Sequence, residues 1–367
     1  MKKVISVIGI AVILVALFSF GVSAYDFSEG EQKYWKDFAE AVPEGKDYPQ
    51  DEDELLSGVG FDSLVGEIMN ALRLGTGSAV SLFALLFGIA VIIAASESAL
   101  PLENISLNRH VTAGVTVIAS VLIFGKIGRI CFSVREGIEE LSAFFSALIP
   151  ILTGIMTAGG NISSAASQSL NMNITLAAVS YISRELLMPL VFALFSLAMA
   201  ASMDTGTVGA VAKSVKNLFM WILGICSTVV IAAITMQSVV AGAKDSAYLR
   251  AARYAASGMI PVVGSTVSSA LAALSGGLSY IKTTVGMSAV LVIIILAVSP
   301  LINLLLHRIA FSISISFLEL ANSSGGVRVF GAFRSALDAL LSVYVVTVIV
   351  YITEIVVFMK CGVSVVV

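Results

Sequence analysis

Apolar positions in this chain gather into long runs, and polar positions fall between them in short clusters. Six runs approach the length that crosses a bilayer as a helix, about 20 residues. They are Ser78–Ala95, Val111–Ile130, Ile174–Ala201, Leu218–Ala241, Met287–Leu306 and Leu340–Phe358. The third is interrupted by Arg184-Glu185 and by Pro189. Between the second and third, Val134–Leu148 is amphipathic. Arg135, Glu136, Glu139 and Glu140 lie toward one end, and Phe144, Phe145 and Leu148 toward the other. This segment is expected to lie at the membrane surface before Ile149–Met156 enters lipid. A full crossing around 141–158 makes seven spans; a re-entrant one leaves six.

A second pattern lies over the first. Ile149-Pro150 leads to Gly159-Gly160, to an uncharged run of Ser, Asn and Gln over Asn161–Asn173, and to an apolar segment with Met188-Pro189-Leu190. Ile260-Pro261 leads to a Gly/Ser/Ala run with Gly276-Gly277, to Lys282, and to an apolar segment ending at Pro300. The spacing is 39 residues from Pro150 to Pro189 and again from Pro261 to Pro300. The simplest reading is a membrane unit duplicated at an offset of 111 residues. The tails also correspond, Ala212-Lys213-Ser214 with Phe333-Arg334-Ser335, with about ten residues inserted in the second copy.

A proline removes a backbone donor and disturbs the helix before it. Breaks at membrane depth are tolerated where protein packs on them or where they line a wet cavity. Two breaks at matched positions point to a transport path or a central packing site. The candidate helix-break and conduit residues are therefore Pro150, Gly159, Gly160, Pro189, Pro261, Gly276, Gly277, Lys282 and Pro300. For each glycine taken singly, close helix packing is the simpler account. The fold class expected is all-α: a polytopic membrane bundle with an internal duplication and broken or re-entrant helices.

Composition fixes the solvent. The chain is 58% hydrophobic and 12% charged, with a mean hydropathy of +0.99. Soluble domains carry about 25% charged residues. Residues 1–24 have the plan of a signal peptide: Lys2-Lys3, an apolar Val4–Phe20, and Val22-Ser23-Ala24 at a cleavage site. An uncleaved anchor is the alternative, and either places the next segment outside the cytoplasm. Residues 25–75 hold thirteen acidic and four basic residues, a net charge of −9. Most simply this is a solvated acidic extracytoplasmic segment; the sharper reading is a docking segment. Tyr34, Trp35 and Phe38 fit one face of a short helix. The remaining divisions expected are first transmembrane helices over 76–140, one repeat over 141–243 and a second over 244–367. The basic loop of Lys244, Arg250, Arg253 and Lys282 belongs in the cytoplasm by the positive-inside rule if there are seven spans. Six spans reverse the sides from residue 141 on.

Enzyme chemistry finds no foothold. His110 and His307 are nearly two hundred residues apart, without a carboxylate or cysteine at ligand spacing. Each abuts an arginine at an expected helix end, which suits an interface. Gly58-Val59-Gly60 lacks the lysine and context of a phosphate loop. No serine occupies a nucleophile elbow. Cys131, Cys226 and Cys361 are too scattered for a disulfide framework. Arg184 and Glu185 fit an interface, where long side chains reach water. No cofactor, metal, catalytic residue or nucleic-acid partner is expected. Anything moved across the membrane would draw its energy from a partner or a gradient.

Several segments in combination resemble the stage III sporulation protein AE family. They are Ala147-Leu148-Ile149-Pro150, Gly159-Gly160 with Ser163-Ser164-Ala165-Ala166, Met188-Pro189-Leu190, Ile260-Pro261-Val262-Val263-Gly264 and Lys282-Thr283-Thr284-Val285-Gly286. The resemblance covers essentially the whole chain and is best over about 140–320. It implies a multipass protein of endospore-forming bacteria, in the mother-cell membrane around the forespore. It implies membership of an assembly that joins the two cells as a channel or feeding tube and keeps late forespore transcription active. The implied partners are a cytoplasmic ATPase and ring-forming extracytoplasmic subunits; membrane lipid and further copies of the chain are expected beside them. Three rivals stand beside this: a stand-alone secondary transporter with two repeats, a purely structural scaffold, and an intramembrane enzyme.

Overall fold

A computed structural model describes residues 29–43, 59–98, 105–158, 161–200, 210–211, 214–234, 236 and 264–360. The expected signal peptide, the acidic run at 51–54, Gly159, Gly160, the loop with Lys244, Arg250 and Arg253, and Pro261 lie outside these residues. For Gly276 and Gly277 the backbone alone is described.

Every described element is helical. We number them α1 (Glu29–Ala41), α2 (Val59–Ser98), α3 (Ile105–Ala158), α4 (Ile162–Tyr181), a π-helical turn (Ile182–Leu187), α5 (Met188–Ala200), α6 (Ser214–Ile234), α7 (Gly264–Leu320) and α8 (Ser324–Lys360). Six stretches among them are long and apolar enough to cross a membrane. The chain is thus an all-helical membrane protein, as its hydropathy predicts. Inside lipid the backbone must satisfy itself, and a helix does so within one segment.

Two helices are longer than the apolar runs suggest. α3 takes in Val111–Ile130, the amphipathic Val134–Leu148 and Ile149–Met156 without interruption. Val134–Leu148 is therefore no separate surface helix. Its Val134, Ile138, Leu141, Phe144, Phe145 and Leu148 are buried in the bundle, while Arg135 and Glu139 stay exposed. α7 likewise runs through Pro300. At about 1.5 Å per residue α3 and α7 are roughly 80 and 85 Å long, more than twice the roughly 30 Å of a hydrocarbon core.

α8 is the axis of the packing. Its Phe330, Phe333, Tyr344, Tyr351 and Phe358 are fully buried. Phe145 of α3 stacks on Tyr351 at 4.5 Å between ring centres, and Phe311 of α7 meets Phe330 at 6.0 Å. α7 and α8 form an antiparallel pair closed by a tight turn. Asn322 takes a left-handed conformation (φ 54°), and the Ser323 N–H donates to the Leu318 carbonyl at 2.9 Å. That is the usual way for a helix to end on an asparagine. The Ser323 hydroxyl then accepts the Gly326 N–H at 3.3 Å and starts α8.

Glycine permits the closest approaches. A Cβ on Gly137 of α3 would stand 2.8 Å from the Pro300 ring and 3.3 Å from Tyr344. One on Gly286 of α7 would collide with Met359 of α8.

The acidic segment is only partly a solvated spacer. α1 turns its expected aromatic face onto α3: Phe38 is fully buried and meets Phe144 edge-on at 6.3 Å, and the Tyr34 hydroxyl donates to the Gly154 carbonyl at 3.4 Å. α2 begins 19 residues before Ser78, so residues 59–75 are helical and continuous with the first apolar run.

Candidate functional site

α4 carries its polar residues inward. Ser164, Gln168, Asn171 and Thr175 recur at helical spacing and are all buried, whereas Ile162, Leu170, Ile174 and Tyr181 are exposed. A soluble helix would do the opposite. In a bundle surrounded by lipid, a polar stripe facing protein is the stable arrangement.

The stripe converges on one carboxyl group. Glu354 of α8 is fully buried. Gln168 Nε2 and Asn171 Nδ2 each donate to its Oε1 at 2.9 Å, and Thr175 Oγ1 donates to Oε2 at 3.2 Å. A carboxyl group placed in an apolar bundle without partners is costly. Three neutral donors offset that cost, since a hydrogen bond to a charged acceptor contributes about 1.5–3 kcal/mol.

The same face of α8 continues the pattern in steps of three and four residues. One turn back, the Tyr351 hydroxyl is 2.9 Å from the Ser142 hydroxyl of α3. Next, Thr347 Oγ1 is 3.2 Å from Ser183 Oγ in the π-helical turn. This pair borders a cleft of about 30 Å³ whose wall includes Cys226 and Ser227 of α6. That is room for about one water molecule. One turn beyond Glu354, Lys282 of α7 is buried, with Nζ 5.0 Å from the centre of the Phe358 ring. The face of an aromatic ring attracts such a cation.

Lys282, singled out by its sequence, thus lies at this site, and so does the Ser/Asn/Gln run. The 111-residue offset equates Asn171 with Lys282 and Pro189 with Pro300. Asn171 and Lys282 reach α8 one turn apart, at residues 354 and 358. The two segments run in the same direction along α8. The other candidates stand apart. Pro150 is exposed inside α3, eight residues before its end. Pro300 packs on Gly137.

Pro189 is exposed and follows the π-helical turn. Pro189 has no N–H and its ring crowds the carbonyl of residue 185. The preceding turn widens, and the Met188 N–H donates to Ser183, five residues back. The turn carries Arg184 outward, 3.3 Å from Glu139, which also pairs with Arg135 at 3.1 Å. All three side chains are over two-fifths exposed.

His307 departs from its expected place at a helix end. It is buried within α7, with Nδ1 2.6 Å from the Asn303 carbonyl. Arg308 beside it pairs with Asp338 of α8. The His110 side chain lies outside the described residues.

Sequence reasoning missed Glu354, because a count of apolar runs absorbs a single charge. The signal was present: Glu354 is the one charged residue between Asp338 and Lys360, and an ionisable side chain within a span marks a functional site by default.

Comparison with known proteins gives two matches. Residues 53–362 match the family model described as stage III sporulation protein AE. Stage III sporulation protein AE of Bacillus subtilis (strain 168) is 25% identical over 185 residues, 50% of this chain and 46% of that protein. The match thus spans about half the length of the curated relative. No solved structure matches.

Proposed function

The chain belongs to the stage III sporulation protein AE family, and from that premise we propose that it is a non-enzymatic subunit of the channel assembly linking mother cell and forespore. In this reading it sits in the mother-cell membrane around the forespore. It works there with a cytoplasmic ATPase and ring-forming extracytoplasmic subunits, and late forespore development requires it. The observation that carries the reading is the family match, which takes in all six apolar helices. The family is one of sporulation proteins rather than of enzymes.

Within the subunit, the paired segments around Pro150–Asn173 and Pro261–Lys282 form the core or conduit. Their convergence on residues 354–358 of α8 supports this reading. It also supports a duplication with both copies in the same direction. In the same reading the acidic segment meets extracytoplasmic subunits; its α1 is held to α3 by Phe38 and Tyr34.

Deletion of the gene in its own host tests the assembly role. The expected result is arrest after engulfment, with shrunken forespores and weak late forespore gene expression. Normal spores combined with an uptake defect would overturn it and favour a stand-alone transporter. For that rival the buried polar site on α8 would be the substrate or ion site, and purified protein in vesicles would show uptake.

A further inference from the structure

The assembly role leaves the buried carboxyl group without a purpose. The three side chains that touch Glu354 are alike in one respect. Gln168, Asn171 and Thr175 can each both donate and accept a hydrogen bond. As placed, they donate to both carboxyl oxygens, the arrangement that suits an ionised carboxylate. They can serve a neutral carboxylic acid as well: an amide that turns over, or the threonine hydroxyl, accepts the acid proton. A carboxylate held permanently as an anion is better matched by the fixed fork of an arginine.

The charged and titratable groups around it fit the same reading. α4 presents neutral groups here, and its Tyr181 is turned outward, 68% exposed. α7 presents Lys282, set on the Phe358 ring one turn away. α8 itself presents Tyr351, whose hydroxyl meets Ser142 of α3. Beyond Tyr351 the polar face passes the Thr347–Ser183 pair and its water-sized cleft. Arg184, the residue after Ser183, is already in the exposed cluster with Glu139 and Arg135.

We propose that Glu354 is a proton-exchange site inside the membrane bundle. Its ligand is a hydrogen ion, and the hydroxyl-lined face of α8 toward Arg184 is the route by which that ion arrives. A proton carried by water bonds to one carboxylate oxygen and leaves its water molecule behind; release reverses the step. No other bond is made or broken. The site gives the bundle a buried group able to answer a proton gradient.

The test uses full-length protein in lipid nanodiscs and needs no assembly partner, so it stands or falls separately from the deletion experiment. Infrared difference spectra are recorded between mildly acidic and mildly alkaline pH, in water and in heavy water. Wild type is expected to show a protonated-carboxyl band that comes and goes with pH and shifts in heavy water. In E354Q that band is lost. E354D, which keeps the carboxyl on a shorter stem, moves it. Thermal unfolding followed by tryptophan fluorescence is expected to show a pH-dependent step in Tm that E354Q abolishes. If E354Q does not fold, the E354D band decides. A spectrum and a Tm profile that are the same in wild type and the folded Glu354 variants overturn the proposal. So does a carboxyl signal in wild type that no pH change alters.

Discussion

Two stretches of chain approach α8 in the same direction, one from Ile162 to Ala200 and the other from Lys282 to Leu320, and each has a proline at the matched position. Their backbones respond differently. Ahead of Pro189 the helix opens into a π-helical turn; at Pro300 it continues as α-helix. Both prolines remove the same hydrogen bond. The surroundings differ. The Pro300 ring is pressed against Gly137, where any side chain would intrude, so the α-helical path is held from outside. Pro189 is exposed, and the turn before it widens and carries Arg184 to the surface. The chemistry presented to α8 differs too. The first stretch offers Gln168, Asn171, Thr175 and Ser183. The second offers Lys282 and, further along, Arg308, which pairs with Asp338; between them Val285, Ala289, Val292, Ile293 and Leu296 are buried in the apolar core. A matched proline spacing therefore does not ensure matched structure; the packing partner decides what the proline does.

Four substitutions probe this contrast, all read as thermal unfolding in detergent or nanodiscs through Trp35 and Trp221. The largest effect is expected from Glu354→Leu, which leaves three buried donors without their acceptor. At about 1 kcal/mol or more for each, the loss is roughly 3 kcal/mol. A loss as small as that of a surface substitution would mean that α4 is held to α8 by packing alone. Gly137→Ala comes next. The new methyl group meets a proline ring that cannot swing aside, and overpacking of this kind costs about 1–3 kcal/mol. Gly286→Ala is the control, because its obstacle is the flexible Met359 side chain, and a smaller loss is expected. Equal losses at the two glycines would show that the rigidity of Pro300 does not set the cost at Gly137.

The smallest effect belongs to Arg184→Ala. Its pair with Glu139 is more than two-fifths exposed, and exposed pairs contribute about 0–1 kcal/mol. A loss above that range would place the anchor of the first stretch in its charges rather than at Glu354.

The sequence made much of this legible. Apolar runs of the right length announce the spans, and the small and uncharged segment over Asn161–Asn173 announces that α4 faces protein. The spacing of Tyr34, Trp35 and Phe38 announces the buried face of α1. Other features were hidden for identifiable reasons. The charges over 126–140 look like the end of one span and the start of a surface helix. Yet Ile127, Ile130, Val134, Ile138 and Leu141 keep a buried stripe through them, and α3 never stops. Glu354 was hidden because one carboxylate hardly lowers the hydropathy of its run.

What the sequence alone determines is the solvent and the building material. With 58% hydrophobic and 12% charged residues, the chain can satisfy its backbone in lipid through helices. The family follows from residues spread over most of the chain. Only the tertiary structure decides which polar groups meet. Gln168, Asn171 and Thr175 are more than 170 residues from Glu354, and nothing local to either segment specifies the other. Their meeting depends on how helices cross, and that is set by many weak contacts acting together. Gly137 makes room for Pro300, Gly286 for Met359, and stacked and edge-on aromatic rings fix the position of α8 between them.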